Sequence, residues 1–473
     1  MFRLLSAHFP KRIVILAVSE ACLVVLAFVA AAMARLGLDD TRVLLSYEQG
    51  FLKISVVSVT FITCMYYFDL YDTSIINNRR EVATRFLQVL GTVSIVLAFV
   101  YYVYPPLQLG RGIFLFGFLL VTIILLLWRR LFFALNSQSA LAERALVLGD
   151  SQLALSLIHE LTSRPELGVR MVGHISADRG GEIERDGEHP VSDGSVGSLD
   201  NICQELSRAV KLRRVNRVIV AMDDRRKKLP VQFLLSLKRR GVMIQDGAEI
   251  YEAVTGKVPI ESIRLSQLLF ASGFRVSRFL EVYKRIASIL ISITGLLLSL
   301  PLFPVVVLAI KLTSPGPLFY LQKRVGRDGS VFHCCKFRTM SPDAEADIGP
   351  TWASDKDPRI TRIGGFFRTT RIDEIPQLWN VLRGDMSLVG PRPERPEFVN
   401  SLAREIPLYN LRHTIRPGIT GWAQIRYQYG SSVEDSKEKL RYDLFYVKNI
   451  SPGLDLLILF QTIKIILLGR GAR

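Results

Sequence analysis

Runs of apolar residues, separated by short polar stretches, dominate the first third of the chain. Four of these runs cover Ile13–Ala34, Phe51–Phe68, Phe86–Gly110 and Gly112–Trp128. Each approaches the roughly 20 residues that an α-helix needs to cross a bilayer. The pattern therefore predicts a four-helix transmembrane region over residues 1–135.

Basic residues flank these runs mostly on one side of the membrane. That side carries Arg3, Lys11, Arg12, Arg79, Arg80, Arg85, Arg129 and Arg130. The positive-inside rule assigns it to the cytoplasm, although Arg35 and Arg42 lie in the opposite loop. Glu20 is a carboxylate inside the first run. We interpret it as part of the helix packing and keep a functional role as the alternative.

Residues 136–262 change to short apolar strands that alternate with amphipathic helices. The strands are predicted at 144–150, 169–174, 217–222 and 242–245. Such alternation is typical of a small parallel α/β domain of Rossmann-like type. A dinucleotide fingerprint requires three glycines after the first strand, and only Gly149 is present there. A regulatory or structural role is therefore favoured, and cofactor binding stays open as the alternative.

A fifth apolar segment begins the last part of the chain, residues 263–473. The 25 uncharged residues between Arg285 and Lys311 would form a straight helix about 37 Å long, which is enough to cross a membrane. However, Pro301 and Pro304 lie just past its middle, and proline removes a backbone donor and kinks a helix. The pattern alone allows both a crossing helix and one that returns to the same face.

Charge and cysteine content exclude some classes of protein. The formal net charge of +17 suits cytoplasmic loops near anionic lipid headgroups and a phosphorylated substrate, and we assign none of it to nucleic acid. The five cysteines form no CxxC pair. This argues against a disulfide framework and against a zinc site.

Polar and turn-forming residues become dense after residue 315. Leu318–Lys323 and Val331–Thr339 predict a β-hairpin around Arg327-Asp328-Gly329, with Lys336 in its second strand. Farther along, Gly390-Pro391-Arg392-Pro393 predicts a stiff turn that presents Arg392. Both basic side chains are candidate phosphate ligands.

The adjacent carboxylates of Asp373 and Glu374 are the most distinctive polar feature. They lie at the predicted start of a helix that ends at Gly384, and Arg368 and Arg371 precede them closely. Adjacent carboxylates repel, so the pKa of one rises unless a cation lies nearby. One of them can attack phosphorus to give an acyl phosphate while the other holds Mg²⁺. A solvated, charge-rich helix end is the alternative interpretation.

Five collinear motifs in this last part match a known family. They read SPGPLFYLQKRVG at 314–326, KFRTM at 336–340, RIGGFFRTTRIDEIPQLWNVLRGDMSLVGPRPER at 362–395, RPGITGWAQI at 416–425 and RYDLFYVKNISPGLDLLILFQT at 441–462. From about Leu268 onward the chain resembles the bacterial sugar transferases, which are polyprenyl-phosphate hexose-1-phosphate transferases of the monotopic phosphoglycosyl transferase type. The first two regions are similar to those of the long members that initiate exopolysaccharide synthesis.

The resemblance implies a role for each candidate residue. Asp373 is the expected nucleophile that takes the phosphosugar, and Glu374 is its partner and the expected Mg²⁺ ligand. The residues expected to bind substrate phosphates are Lys336, Arg368 and Arg392. For Arg416 and Trp422, a nucleotide contact and a structural turn both stay open.

The resemblance also implies substrates and a location. A UDP-sugar would give hexose 1-phosphate to undecaprenyl phosphate at the inner membrane, with the α/β catalytic domain on the cytoplasmic face. The segment at about 284–311 would then be a re-entrant helix, and Leu454–Leu468 would lie in the membrane interface. Membrane lipids are further expected partners, and a homo-oligomer stays open.

Two rival interpretations remain. One is a nucleotide-sugar dehydratase or dehydrogenase, and the other is a non-enzymatic component of polysaccharide export. Residues 1–262 show no carboxylate–arginine cluster along the sequence, so the chemistry is expected in residues 263–473 alone.

Overall fold

The computed structural model forms three regions. It describes residues 11–47, 49–71, 79–136, 143–164, 167–176, 183–184, 199–222, 229–262, 277–340, 357, 359–427, 430 and 432–467.

The first region consists of helices. They are α1 (Lys11–Leu36), α2 (Leu38–Tyr47), α3 (Gly50–Tyr67), α4 (Arg79–Val103) and α5 (Arg111–Asn136). Helices α1, α3, α4 and α5 share one apolar core, and each is long and apolar enough to cross a membrane. The connection between α1 and α3, in which Arg42 lies, contains the short helix α2. Asp39 and Asp40 in the first turn of α2 favour this helix, since carboxylates stabilise a helix N-terminus.

Glu20 of α1 is fully buried among these helices. Its carboxylate pairs with Arg129 of α5 at 2.6 Å and accepts a hydrogen bond from the Tyr71 hydroxyl at 2.7 Å. Arg129 also donates to the carbonyl of Leu70 at 3.1 Å. A buried carboxylate that is paired and hydrogen-bonded in this way serves helix packing.

The second region is built on a five-stranded sheet. Its strands are β1 (Glu143–Leu148), β2 (Val169–Ile175), β3 (Ile183–Glu184), β4 (Arg217–Val220) and β5 (Met243–Asp246). They lie in the order β3-β2-β1-β4-β5, and every neighbouring pair is parallel except β2 with β3. The two faces are covered by α6 (Gln152–Ser163), α7 (Leu199–Leu212), α8 (Val231–Arg239) and α9 (Gly247–Thr255). The predicted parallel α/β arrangement is therefore present.

Gly149 after β1 has a packing reason of its own. Its φ is +126°, and a Cβ there would lie 2.3 Å from the carbonyl oxygen of Ala221. The hydroxyl of Ser151 accepts a hydrogen bond from the Ala154 amide and thereby caps α6. This turn is explained by close packing and by the helix cap.

The third region holds the candidate chemistry. Its elements are α10 (Arg278–Ser299), α11 (Phe303–Thr313), β6 (Phe319–Val325), β7 (Val331–Phe337), α12 (Arg362–Thr370), α13 (Gln377–Arg383), β8 (Ser387–Val389), α14 (Pro396–Glu405), β9 (Gly418–Thr420), α15 (Trp422–Arg426), α16 (Val433–Lys448) and α17 (Pro452–Leu467). Strands β6 and β7 form the predicted antiparallel hairpin, and β8 pairs with β9 in parallel. Single 3₁₀ turns occur at Pro105–Leu107, Ile260–Ser262, Leu300–Leu302, Arg327–Gly329, Ile372–Glu374 and Tyr409–Thr414.

The fifth apolar segment is divided into α10 and α11 by the turn Leu300–Leu302, which contains Pro301. Helix α10 packs on α13. Helix α11 places Val306 and Ile310 in one apolar cluster with Phe367 of α12. Both halves of the segment thus contact the same domain.

The second and third regions are joined by packed residues. Val258 and Ile260 are buried in the core of the third region, and the Trp422 indole donates to the Gly256 carbonyl at 2.9 Å. Lys448 of α16 pairs with Glu252 of α9 at 2.7 Å. The segment that links the two regions thus packs into the core of the third region.

The third region also contacts the end of α3. Gln461 of α17 donates to the Tyr66 hydroxyl at 3.1 Å, and Lys464 donates to the Tyr66 carbonyl at 3.0 Å. Lys464 is also ion-paired with Asp69. The last helix therefore lies against the end of the helical region that precedes the loop between α3 and α4.

Candidate active site

Strand β7 and the turn Ile372–Glu374 bring the predicted site residues together. Thr361 caps the N-terminus of α12, and its hydroxyl accepts from the Gly364 amide at 3.0 Å. Arg371 caps the C-terminus, where its left-handed backbone with φ 59° redirects the chain into the turn. A Cβ at Gly364 would lie 2.1 Å from the Thr339 carbonyl, so glycine allows α12 to approach the end of the hairpin.

Glu374 is surrounded by cations. Its Oε1 lies 2.7 Å from Arg392 and 3.3 Å from Lys336, and its Oε2 lies 3.4 Å from Arg371. Burial by itself would raise the pKa of Glu374, but the charges of Arg392, Lys336 and Arg371 hold that pKa far below its usual range. Glu374 is therefore an ionised carboxylate with more positive than negative charge around it.

Asp373 next to it has a different environment. The residue is 6% exposed. Within the part of the chain that the structure describes, its Oδ1 is buried without a hydrogen-bond partner. Burial raises the pKa of Asp373, Lys336 opposes that rise and Glu374 adds to it. One carboxylate of the pair is thus held fixed while the other keeps an oxygen free for a ligand.

Arg368 and Arg416 occupy different places. Arg368 donates from Nε to the Thr339 hydroxyl at 3.0 Å, and its charge lowers the pKa of Asp373. Arg416 donates from Nε to the Gly384 carbonyl at 3.1 Å, at the opposite end of α13 from the carboxylate pair. The structure therefore brings Lys336, Arg368 and Arg392 to the pair but not Arg416.

Trp422 was the alternative to Arg416 as a nucleotide contact. Its side chain is 1% exposed and its indole is bonded to Gly256. It stacks on Phe445 at a ring distance of 5.9 Å. Trp422 is therefore part of the core, and the structural-turn interpretation holds for it.

The backbone that carries Arg392 is fixed by residues that the sequence analysis did not single out. Arg412 donates to the Arg392 carbonyl at 2.9 Å and to the Tyr409 hydroxyl at 2.7 Å, and it pairs with Asp443 of α16 at 2.8 Å. Arg412, Tyr409 and Asp443 are all buried. Arg324 holds the next peptide by donating to the Pro393 carbonyl at 2.8 Å.

Strand β7 is fixed from the side of α13. The Asn380 amide donates to the His333 carbonyl at 2.8 Å and accepts from the Cys335 amide at 2.9 Å, so it pairs with the strand as a peptide would. These contacts position the strand that carries Lys336. Asn380 and Arg412 could not be found from spacing, since each acts through backbone atoms of a distant segment.

The donor set at the pair fits Mg²⁺ with help from a substrate. Mg²⁺ is usually held by one or two carboxylates together with substrate phosphates. Asp373 offers an unpartnered oxygen beside the ionised Glu374. Among the described residues no group of three or more His, Cys, Asp or Glu side chains is arranged to hold a metal alone. A divalent ion at this place would share its ligands with substrate phosphates.

Comparisons with known proteins agree on the nature of the third region. The bacterial sugar transferase family model matches residues 279–469, and a CoA-binding domain model matches residues 66–245. The chain is 44% identical over 225 residues to a UDP-N-acetylgalactosamine-undecaprenyl-phosphate N-acetylgalactosaminephosphotransferase of Aeromonas hydrophila, covering 48% of this chain and 52% of that protein.

Two further relatives extend this similarity. The chain is 33% identical to the UDP-glucose:undecaprenyl-phosphate glucose-1-phosphate transferase of Escherichia coli (strain K12) over 322 residues. This match covers 67% of this chain and 66% of that protein. The chain is also 42% identical to the exopolysaccharide production protein PSS of Rhizobium leguminosarum bv. phaseoli over 187 residues. This match covers 38% of this chain and 94% of that protein. The chain thus spans about half to two thirds of the first two relatives and nearly all of the third.

Proposed function

The chain belongs to the bacterial sugar transferase family, and on this premise we propose that it transfers hexose 1-phosphate from a UDP-sugar to undecaprenyl phosphate. The products are undecaprenyl-diphosphate-sugar and UMP. Relatives carry names for such a transfer with glucose or N-acetylgalactosamine. The proposal extends these names to this chain.

The observation that carries the proposal is the unequal pair of carboxylates. Glu374 is neutralised by three cations, while Oδ1 of Asp373 is buried and has no partner within the described residues. A buried carboxylate oxygen without a hydrogen bond is costly unless a ligand uses it. Asp373 therefore has the environment of a nucleophile, and Glu374 has that of a fixed electrostatic partner.

In the first step, a carboxylate oxygen of Asp373 attacks the phosphorus next to the sugar. The new bond joins that oxygen to phosphorus, and the bond from phosphorus to the bridging oxygen of the diphosphate breaks. UMP leaves with the bonding electrons, and the phosphosugar remains on Asp373 as an acyl phosphate. Lys336, Arg368 and Arg392 are placed to balance the charge of the phosphates.

In the second step, a phosphate oxygen of undecaprenyl phosphate attacks the same phosphorus. The bond from phosphorus to the Asp373 oxygen breaks, and the carboxylate is restored. When bound, Mg²⁺ would supply charge neutralisation on the diphosphate, held by Glu374 together with substrate oxygens. No other cofactor is part of the proposal.

The membrane arrangement is also a proposal. We place α1, α3, α4 and α5 across the inner membrane and make α10 and α11 a re-entrant pair, with the catalytic domain on the cytoplasmic face. Support comes from the contacts of both α10 and α11 with the same domain. Further support comes from α17, which contacts the end of α3, and from Arg79, Arg80 and Arg85 in the first turns of the next helix, α4.

The proposal is tested by mixing the purified full-length protein with a panel of UDP-sugars and undecaprenyl phosphate. UMP release should need Mg²⁺ and should follow ping-pong kinetics. Activity should fall as the pH is lowered, because the pKa of Asp373 is raised and only its ionised form can attack. Intersecting double-reciprocal lines, or full activity in excess chelator, would count against the mechanism or the metal respectively.

A further inference from the structure

The first turns of α10 form a pocket with the catalytic domain. On the helix it is lined by Glu281, Lys284, Arg285 and Ser288, which share one face at helical spacing. On the domain it is lined by β8 and by Arg416, among others. The mechanism above uses none of these side chains.

The pocket keeps an excess of positive charge. Arg285 donates to the carbonyls of Val381 and Leu382, and Arg416 donates to that of Gly384. These carbonyls at the end of α13 carry only a partial negative charge. Within the described part of the chain neither guanidinium has a carboxylate partner, so both retain positive charge toward the pocket.

The remaining lining suits the phosphate of an amphiphile. The hydroxyls of Ser288 and Ser387 lie 3.3 Å apart, so one donates to the other, and the hydroxyl that accepts keeps its own proton for an anion. Met386 and Ile415 supply an apolar wall. Cations, hydroxyls and apolar surface together match a phosphate group that is attached to an apolar body.

The location points to a lipid. The opposite face of α10 exposes Phe279 (82%), Val282 (56%) and Ile286 (54%), the kind of surface that faces acyl chains. A pocket behind that face lies at the level of lipid headgroups, if α10 enters the membrane as proposed above.

The pocket is separate from the reaction centre. Nine residues, seven of them in α13, lie between Glu374 and Gly384, and a helical rise of 1.5 Å over each of the ten steps spans about 15 Å. Arg416 bonds to the Gly384 carbonyl, at the end of α13 away from the carboxylate pair. The pocket is therefore separated from Asp373 by about the length of α13.

We propose that this pocket binds the phosphate of an anionic phospholipid headgroup and so fixes α10 in the membrane interface. The nucleotide is the other source of a phosphate for this pocket, because the sequence left a nucleotide contact open for Arg416. The lipid is favoured because α10, which lines the pocket with one face, exposes an apolar opposite face, and because the pocket lies far from Asp373. The inference rests on the proposed membrane placement of α10 and does not depend on the identity of the sugar.

The test titrates the full-length protein in neutral detergent with short-chain phosphatidylglycerol, phosphatidylcholine, UMP or inorganic phosphate. Binding is followed by the shift in thermal unfolding and by native mass spectrometry of retained lipid. Arg285→Gln should raise the half-saturating concentration of phosphatidylglycerol about fivefold, as expected for about 1 kcal/mol per basic residue near an anionic headgroup. Glu281→Gln should lower it, because it removes a carboxylate that lies 3.1 Å from Arg327.

These two variants have effects of opposite sign, so a general loss of stability cannot imitate the result. Equal binding of phosphatidylglycerol and phosphatidylcholine, or no change in Glu281→Gln, would overturn the proposal. Displacement of the lipid by UMP, together with a raised KM for the UDP-sugar in Arg416→Gln, would assign the pocket to the nucleotide and also overturn it. UMP release by the wild type in the same detergent tests the proposed reaction separately.

Discussion

Two clusters of acidic residues and arginine lie in different regions of this protein and differ in how their charges are matched. In the helical region Glu20 faces one guanidinium, that of Arg129, and the Tyr71 hydroxyl, and all are buried. In the catalytic domain Glu374 faces three cations, while Asp373 beside it keeps an oxygen without a partner among the described residues.

The difference separates a cluster suited to structure from one suited to binding a ligand. A buried pair with matched charge and satisfied hydrogen bonds has no capacity left for a ligand. In the other cluster, one carboxylate is neutralised by more cations than it needs, and the carboxylate beside it has an oxygen without a hydrogen bond. The remaining positive charge attracts an anion such as a diphosphate. Residue type alone does not make this distinction, since both clusters consist of carboxylates and basic side chains.

The largest expected effect is on the catalytic cluster. Asp373→Asn should lower kcat/KM at least a thousandfold, about 4 kcal/mol of barrier, because the amide is a far weaker nucleophile. Its thermal unfolding should change little or improve, since a buried charge is removed. UMP release measures the loss of activity, and calorimetry measures the change in thermal unfolding. The matched control is Glu20→Gln, which makes the same carboxylate-to-amide change in the helical cluster. Activity in Asp373→Asn close to that of the wild type would make the comparison false.

A change in the helical cluster should lower stability and leave activity nearly unchanged. Arg129→Met leaves Glu20 buried without its cation and should lower the free energy of unfolding by about 3 kcal/mol. Specific activity per folded protein should stay near the wild-type value. A double variant Glu20→Leu, Arg129→Met should recover much of the stability, because an apolar pair can replace a buried ion pair. If activity fell as much as stability, the helical cluster would share in the chemistry.

The pair Arg412–Asp443 can sharpen the comparison, since it is buried and matched but also holds the Arg392 carbonyl. The double variant Arg412→Met, Asp443→Leu should fold with near wild-type stability. It should lose about a hundredfold in kcat/KM, as expected for a displacement of about 1 Å at a phosphate ligand. The loss should appear in kcat more than in the binding of undecaprenyl phosphate. Wild-type kinetics in the double variant would assign this pair to stability alone.

The smallest effect is expected between the second and third regions. Lys448→Met removes the ion pair between the partly exposed Lys448 and the buried Glu252, and it should cost about 1 kcal/mol of unfolding free energy. Activity should change little, because no described residue of the second region contacts the carboxylate pair. A large loss of activity at unchanged stability would show that α16 transmits a signal from the second region to Arg392.

Features set by local pattern could be predicted from the sequence. The apolar runs predicted helices α1, α3, α4 and α5, and the alternation in residues 136–262 predicted the parallel sheet. The hairpin β6–β7 and the stop of α13 at Gly384 followed from turn residues. The family was identified from collinear motifs, and the comparisons confirm it. These features depend on spacing within a few residues, which the sequence displays directly.

Features that need distant segments to meet could not be predicted. No acidic–basic cluster was expected before residue 263, yet Glu20 and Arg129 meet across 109 positions. Arg416 was left open as a nucleotide contact, but it bonds to the Gly384 carbonyl, and α13 separates that position from Asp373. Arg412 and Asn380 act on backbone atoms of other segments, so no spacing rule marks them.

The sequence by itself determined the order of the three regions, the four long helices of the first region, the parallel strands of the second, the hairpin of the third, and the residue types available at Asp373 and Glu374. Only the tertiary structure decided which carboxylate is neutralised and which keeps a free oxygen. Adjacent residues on one turn point in different directions, and their charge states depend on cations that β7, α12 and the turn after β8 bring within 4 Å. That proximity is a property of the packed chain, because electrostatic energy depends on distance in space and not on separation along the sequence.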